Sequence, residues 1–232
     1  MGLPKIDLPL YELQLFSTKK KVKYRPFTVK EEKILLIAQE SDDIEQAMLA
    51  IKQVVNNCLV DVDVENLAMF DLEYILLNLR IKSIDNKAEF FVTDPETDEK
   101  VKLEFDLSDV KLKTIPDHTN KIKLNDEYTL FLKYPNINAF TNFMLNQGTV
   151  ESNYDILVSC LDKVASENTV YNFSEFSKEE IDDFLNDLQG DVIKKIQNFF
   201  ETMPRLRHEI KYKNSKGNEK TFVIEGVKSF FI

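Results

Sequence analysis

Residues 22–36 read Val22-Lys23-Tyr24-Arg25-Pro26-Phe27-Thr28-Val29-Lys30-Glu31-Glu32-Lys33-Ile34-Leu35-Leu36, and they turn the chain from strand to helix within one short segment. Val22 and Tyr24 continue an alternation begun by Tyr11, Leu13 and Leu15, with a polar turn near Thr18 between the two runs. Period two on both sides of a turn predicts a β-hairpin. Pro26 lacks an amide donor and holds Arg25 extended, so the strand stops there. Thr28 and Glu31 have the spacing of a capping box that opens a helix. Ile34, Leu35, Leu36 and Ile37 are apolar on all sides, which predicts a buried helix rather than a surface one.

Downstream of this corner the helical period continues. A second helix is expected from near Asp42, three residues before Glu45, with Ile44, Ala47, Met48, Ile51, Val54, Val55 and Cys58 as its apolar stripe. A third runs from about Asn66 to Arg80. Leu67, Phe70, Tyr74, Leu77 and Ile81 form one side, and Leu72, Ile75, Leu76 and Leu79 cover most of the rest, so it should be central and buried. From Ala88 to Tyr134 the period becomes two. Phe90 and Val92 face Val101, Leu103 and Phe105 across a turn at 94–98; Ile122 and Leu124 face Tyr128, Leu130 and Leu132 across Asn125-Asp126. These read as two hairpins of one small antiparallel sheet.

Helical patterns return at 138–146 and 152–165. Ser177 and Glu180 repeat the capping-box spacing before a helix that ends by Gly190, and another helix spans 191–202 ahead of Pro204. A last hairpin carries His208, Ile210 and Tyr212, then a turn at 214–217, then Phe222 and Ile224. Gly226 breaks it before the apolar Phe230-Phe231-Ile232. The fold class is therefore α+β: a helical N-terminal block with a leading β-hairpin, a small antiparallel middle sheet, and a helical C-terminal region ending in a β-hairpin. The changes of period divide the chain at 1–87, 88–135 and 136–232.

Composition narrows the function classes. The 232 residues are 43% hydrophobic and 30% charged, ordinary values for a globular chain. No apolar run reaches the length of a membrane span. No apolar segment follows Met1-Gly2-Leu3-Pro4-Lys5, so no secretory signal is expected, and Lys5-Ile6 does not complete a myristoylation signature. A formal charge of −10 disfavours broad contact with nucleic-acid phosphates. The one basic cluster, Lys19, Lys20, Lys21, Lys23 and Arg25, reads as a solvated hairpin, with contact to an acidic partner or phosphate as the alternative. Cys58 and Cys160 each lie in a helix-like apolar stripe, which predicts buried free thiols in a reducing compartment.

Signatures of catalysis are missing from the sequence. Five glycines form no phosphate loop, and there is no Gly-x-Ser-x-Gly elbow. His118 lies in a polar loop and His208 opens a strand. The acidic run 61–65 has Asn66 where a calcium loop needs glycine and Leu72 where it needs glutamate. Glu179, Glu180, Asp182 and Asp183 begin a helix, where the dipole favours negative charge; they also offer an acidic docking face. No catalytic, metal or cofactor-binding residue is assigned. The outlying enzyme reading is a hydrolase using paired carboxylates such as Glu179 and Asp183. What stands out is aromatic content, seventeen Phe and eight Tyr, with Phe173, Phe176, Phe199, Phe200, Phe230 and Phe231 in the C-terminal half. Such residues either anchor interfaces or pack between the last hairpin and its preceding helices.

The 22–36 stretch resembles the opening signature of the baseplate hub assembly proteins of T-even-type contractile-tailed bacteriophages. The likeness continues at Asp61-Val62-Asp63, at Phe70-Asp71-Leu72-Glu73-Tyr74 and at Leu79-Arg80-Ile81-Lys82-Ser83. It resumes at Phe199-Phe200-Glu201-Thr202-Met203-Pro204, at 208–212 and at Phe230-Phe231, with a looser middle from Ala88 to Asn172. The resemblance implies a non-enzymatic hub subunit or hub assembly factor that binds other phage baseplate hub or tail proteins. A transient tail-assembly chaperone absent from the mature virion is the alternative. The resemblance implies assembly in the host cytoplasm and leaves open both a place in the virion baseplate and a homo-oligomer, while charge and composition argue against nucleic acid and membrane insertion. No cofactor is implied, and the hairpin from Phe90 to Phe105 has no cysteine for zinc. Arg25, Pro26, Phe27, Phe70, Glu73, Tyr74, Arg80, Phe199, Phe200, Phe230 and Phe231 are the candidate interaction residues. Arg25, Glu73 and Arg80 lie among apolar neighbours, so each needs a partner. An ion pair of Arg25 or Arg80 with Glu31 or Glu73 is expected, or else a partner surface.

Overall fold

The computed structural model describes residues 6–40, 43–147 and 149–226. Strands β1 (Tyr11–Gln14) and β2 (Lys21–Tyr24) lead into helices α1 (Val29–Glu40) and α2 (Ile44–Cys58), then strand β3 (Leu59–Val60) and helix α3 (Met69–Ser83). Strands β4 (Lys87–Thr93), β5 (Lys100–Asp106), β6 (Lys111–Lys113), β7 (Lys121–Lys123) and β8 (Thr129–Leu132) follow. Helices α4 (Ile137–Leu145) and α5 (Val150–Cys160) precede strands β9 (Leu161–Ala165) and β10 (Val170–Asn172). The described chain closes with α6 (Lys178–Asn186), α7 (Gly190–Thr202), β11 (Arg205–Lys213) and β12 (Glu219–Glu225). The α+β class is as expected.

Two compact units divide these elements. One holds the chain up to Lys113 and again from Arg205; the other spans Thr114–Pro204. In the first, β6 and β11 pair antiparallel with Arg205 opposite Lys113 and Leu206 opposite Leu112. The chain thus leaves and re-enters this unit at adjacent positions, the geometry that lets a segment be inserted without disturbing its host.

In the first unit β1 pairs β2 with Leu13 opposite Val22, as the alternation requires, and β3 extends the sheet beside β2. Asp43 caps α2 by accepting from the amides of Glu45 and Gln46; Asp42 lies outside the described residues. Helix α3 is central: Leu72, Ile75, Leu76 and Leu79 have no exposed surface. Each such side chain contributes roughly 1.5–3 kcal/mol by burial. Leu77 joins Val92, Leu103, Leu107, Leu206, Ile210 and Ile224 in a core under the β4–β5 and β11–β12 hairpins.

Helix α1 corrects an expectation. It is a surface helix, with Val29, Leu36 and Ile37 exposed at 65%, 51% and 69%. Among its described side chains only Glu31 is buried, while Ile34, Leu35 and Ala38 are partly covered. Apolar content on all sides does not bury a helix when neighbours cover one side.

The second unit holds the four-stranded antiparallel sheet β10-β9-β8-β7. The two middle hairpins therefore do not share a sheet: β4–β5 stands as its own pair, while β7–β8 joins β9. The segment expected to be helical over 152–165 changes at Cys160, and 161–165 is strand β9. Val164 faces Leu130 across the β8–β9 ladder, a cross-strand partner that short-range periodicity does not reveal. The core of this unit gathers Ile122, Leu130, Leu132, Leu161, Val164, Leu185, Val192, Ile196 and Phe199.

Cys58 and Cys160 are buried free thiols, one in each unit, and burial pushes both up to about 11.

Candidate interaction site

At the 22–36 corner, Arg25 reaches Glu31 with Nη2–Oε1 at 3.0 Å. The carboxylate side chain is 6% exposed and the guanidinium 26%. Burial on its own would raise the Glu31 pKa. Hydrogen bonds donated by Arg25, by the Thr28 hydroxyl and by the Thr28 amide reverse that and hold it at about 2. Arg25 also donates to the Pro26 carbonyl at 3.0 Å, and its amide donates to the Cys58 carbonyl at 2.9 Å. The Phe27 amide donates to Ser83 Oγ at 2.9 Å, whose hydroxyl in turn donates to the Leu79 carbonyl. Pro26 and Phe27 are buried. The signature thus ties β2, α1, α2 and α3 together, and the expected ion pair is Arg25–Glu31.

Phe70 and Glu73 are buried on α3 at 5% and 7% exposure; Tyr74 and Arg80 are partly buried on the same helix. Tyr74 meets Phe16 edge-to-face at 5.1 Å. The neighbouring Asp71 is fully buried and receives the Phe16 and Ser17 amides and the Ser17 hydroxyl. That carboxylate fixes the β1–β2 turn to the start of α3, at the cost of a pKa raised by burial. A second lock joins the two hairpin turns. Asp94, with no exposed surface, accepts from Tyr212 Oη at 2.7 Å and from the amides of Glu96 and Thr97. Burial would raise its pKa, but these donors hold it at about 2. Glu96 pairs with Lys220 at 2.7 Å beside it.

In the second unit Phe199 is 1% exposed and stacks on His118 and Tyr134 at 5.4 Å each, with Phe200 edge-on at 5.2 Å. His118 hydrogen-bonds Thr202 Oγ1 and Tyr134 Oη at 2.8 and 2.9 Å, and burial lowers its pKa. The polar loop expected around His118 therefore places an imidazole against the core. Glu179 and Asp183 are both exposed on α6, while Asp182 accepts from Tyr154 Oη. Phe230 and Phe231 lie outside the described residues.

The second unit also contains a feature that no single segment announces, an open cavity of about 580 Å³. Val164, Ile181, Leu188 and Val192 form its apolar base. Tyr128, Tyr171, Phe173, Phe176 and Phe184 supply aromatic walls, with Phe173 edge-on to Phe184 at 5.4 Å and Tyr171 tilted to Phe176 at 6.5 Å. Asn125, Glu180, Asp187 and Gln189 add polar groups. The capping box positions Glu180: its carboxylate accepts from the Ser177 amide and hydroxyl, which lowers its pKa. Of the C-terminal aromatics singled out in sequence, Phe173 and Phe176 belong here and Phe199 to the core. Tyr128 reads in the sequence only as a hairpin residue, and Tyr171 and Phe184 are not marked there, because the three come from a turn, a three-residue strand and a helix. The available signal was Tyr171, Phe173 and Phe176 at short spacing just before an acidic helix start.

Among the described residues no helix is long and apolar enough to cross a membrane. No curated protein and no protein of solved structure matches the chain. A family model does: that described as the T4 bacteriophage base plate protein matches residues 8–232. The match runs through the 22–36 corner, the buried α3 helix and the aromatic cavity alike, and the chain belongs to the T4 bacteriophage base plate protein family.

Proposed function

We propose that this phage baseplate protein acts in the baseplate hub, as a hub subunit or hub assembly factor that works without catalysis through contacts with other hub or tail proteins. The observation that carries the reading is the outward side of α1. Val29, Leu36 and Ile37 fall at i, i+7 and i+8, on one helix face, and all three are exposed. A row of large apolar groups in water favours burial against a partner. Family membership supplies the setting, a baseplate whose subunits meet one another. Two buried free thiols suit assembly in the reducing host cytoplasm.

The test is isolation of affinity-tagged chain from infected cells, with co-purifying proteins identified by mass spectrometry. Hub proteins should dominate, and Ile37→Glu should remove them while leaving the melting temperature unchanged. Recovery of peripheral baseplate proteins alone, or binding indifferent to Ile37→Glu, overturns the reading. Quantifying the chain in purified virions then separates a resident subunit from a chaperone that leaves.

A further inference from the structure

We propose that the aromatic cavity of residues 114–204 is a docking groove for an extended segment of a partner baseplate protein, one that carries a large apolar side chain flanked by Lys or Arg. The proposal rests on the reading that the chain works through protein contacts, but it concerns a different surface from α1. Size, lining and charge point the same way. A volume of about 580 Å³ lies within the roughly 300–1,000 Å³ of ligand-sized pockets. Tyr171 and Phe176 keep 42% and 39% of their surface in water, so aromatic area is still available for burial. Large, stiff rings half in solvent are the residues that anchor interfaces.

Charge selects the occupant. Among the described residues lining the cavity, the charged ones are Glu180 and Asp187. Hydrogen bonds from Ser177 keep Glu180 ionised. The whole unit is acidic: residues 114–204 contain seven Lys and Arg against fifteen Asp and Glu, a net of −8 out of −10 for the chain. A guanidinium or ammonium is drawn to such carboxylates and also to Tyr and Phe ring faces, whereas phosphate or an acidic segment is repelled. Strand β10 ends its sheet and carries Tyr171, so an extended segment can add along its outer edge while its side chain enters the cavity.

The experiment places a photo-crosslinking residue in the full chain during infection, as Tyr171→p-benzoylphenylalanine and Phe176→p-benzoylphenylalanine, with Ile37→p-benzoylphenylalanine on α1 as a separate probe. Cross-linked peptides are then sequenced by mass spectrometry. The groove probes should capture one segment of another baseplate protein, with Lys or Arg beside an apolar residue. Adding the exposed substitution Asp187→Lys should reduce capture by about tenfold. Capture of a second copy of this chain, of an acidic segment, of nucleic acid or of lipid overturns the proposal, as does capture indifferent to Asp187→Lys. If the Ile37 probe captures a hub protein while both groove probes capture nothing, the groove assignment fails and the hub reading stands. If the groove probes capture a basic, apolar segment of a protein outside the hub, the docking chemistry stands and the hub reading fails.

Discussion

Around Arg25 the charged groups turn inward and are met by partners; around Tyr171 the aromatic groups stay half in water and the charges stand nearby on the surface. The first arrangement binds β2, α1, α2 and α3 through Glu31, Thr28, Cys58 and Ser83. The second gathers side chains from a turn, an edge strand and a helix but leaves a cavity among them. Buried polar groups that find all their partners define one geometry. Exposed aromatics do little for the isolated fold and are free to meet something else.

The sharpest way to break this contrast is to remove aromatics from the two settings of the second unit. Phe199→Ala should cost about 3–5 kcal/mol in urea unfolding, because Phe199 is 1% exposed and stacked on two rings. Tyr171→Ala in the groove should change stability by only about 0.5 kcal/mol. Equal losses would mean that the groove is part of the core.

Next in size is the ion pair. Glu31→Gln should destabilise by about 2–3 kcal/mol, below the full value for a buried pair because a quarter of the Arg25 side chain remains exposed. Arg25→Met and the double variant complete a cycle whose coupling term should be favourable. Zero coupling would show that the pair is incidental to the corner.

Acid unfolding tests the same contrast through protons. Glu31 and Asp94 are held at about 2, below the unfolded values of about 4.3 and 3.9. A depressed carboxyl contributes stability above its unfolded pKa and loses it as pH falls toward the folded one. Stability of the unit containing both should drop between about pH 4 and pH 2. Glu31→Gln should remove part of that slope, and a slope unchanged by Glu31→Gln would reject the assignment. Asp71 has the opposite sign. Its raised pKa makes the folded state a tighter proton binder, so its contribution is fully present below the unfolded pKa and is lost as pH rises from there through the folded one. The smallest effect expected is that of Asp187→Lys on stability, within about 0.5 kcal/mol for an exposed site, even as it weakens partner capture.

Much of the local structure was legible because its causes are local. Pro26, the Thr28–Glu31 and Ser177–Glu180 spacings, and the alternation around Val22, Phe90 and Phe222 act over a few residues. The elements appear where those residues put them. Burial of α3 could also be read, since apolar groups surround it on nearly every side. Exposure of α1 could not, because equal apolarity does not reveal which neighbours exist to cover it. Strand β9 was hidden for a related reason: 161–165 follows a helix with the same apolar content, and only pairing with β8 draws it into a sheet.

The sequence by itself determined the α+β class, the strand-to-helix corner, the free thiols and the family signature, all properties of neighbouring residues or of composition. Only the tertiary structure decided that β6 meets β11 across the inserted segment, that Arg25 chooses Glu31, and that five aromatics enclose an acidic cavity. Those outcomes depend on pairs distant along the chain, whose loop-closure entropy is offset only when many such contacts form together.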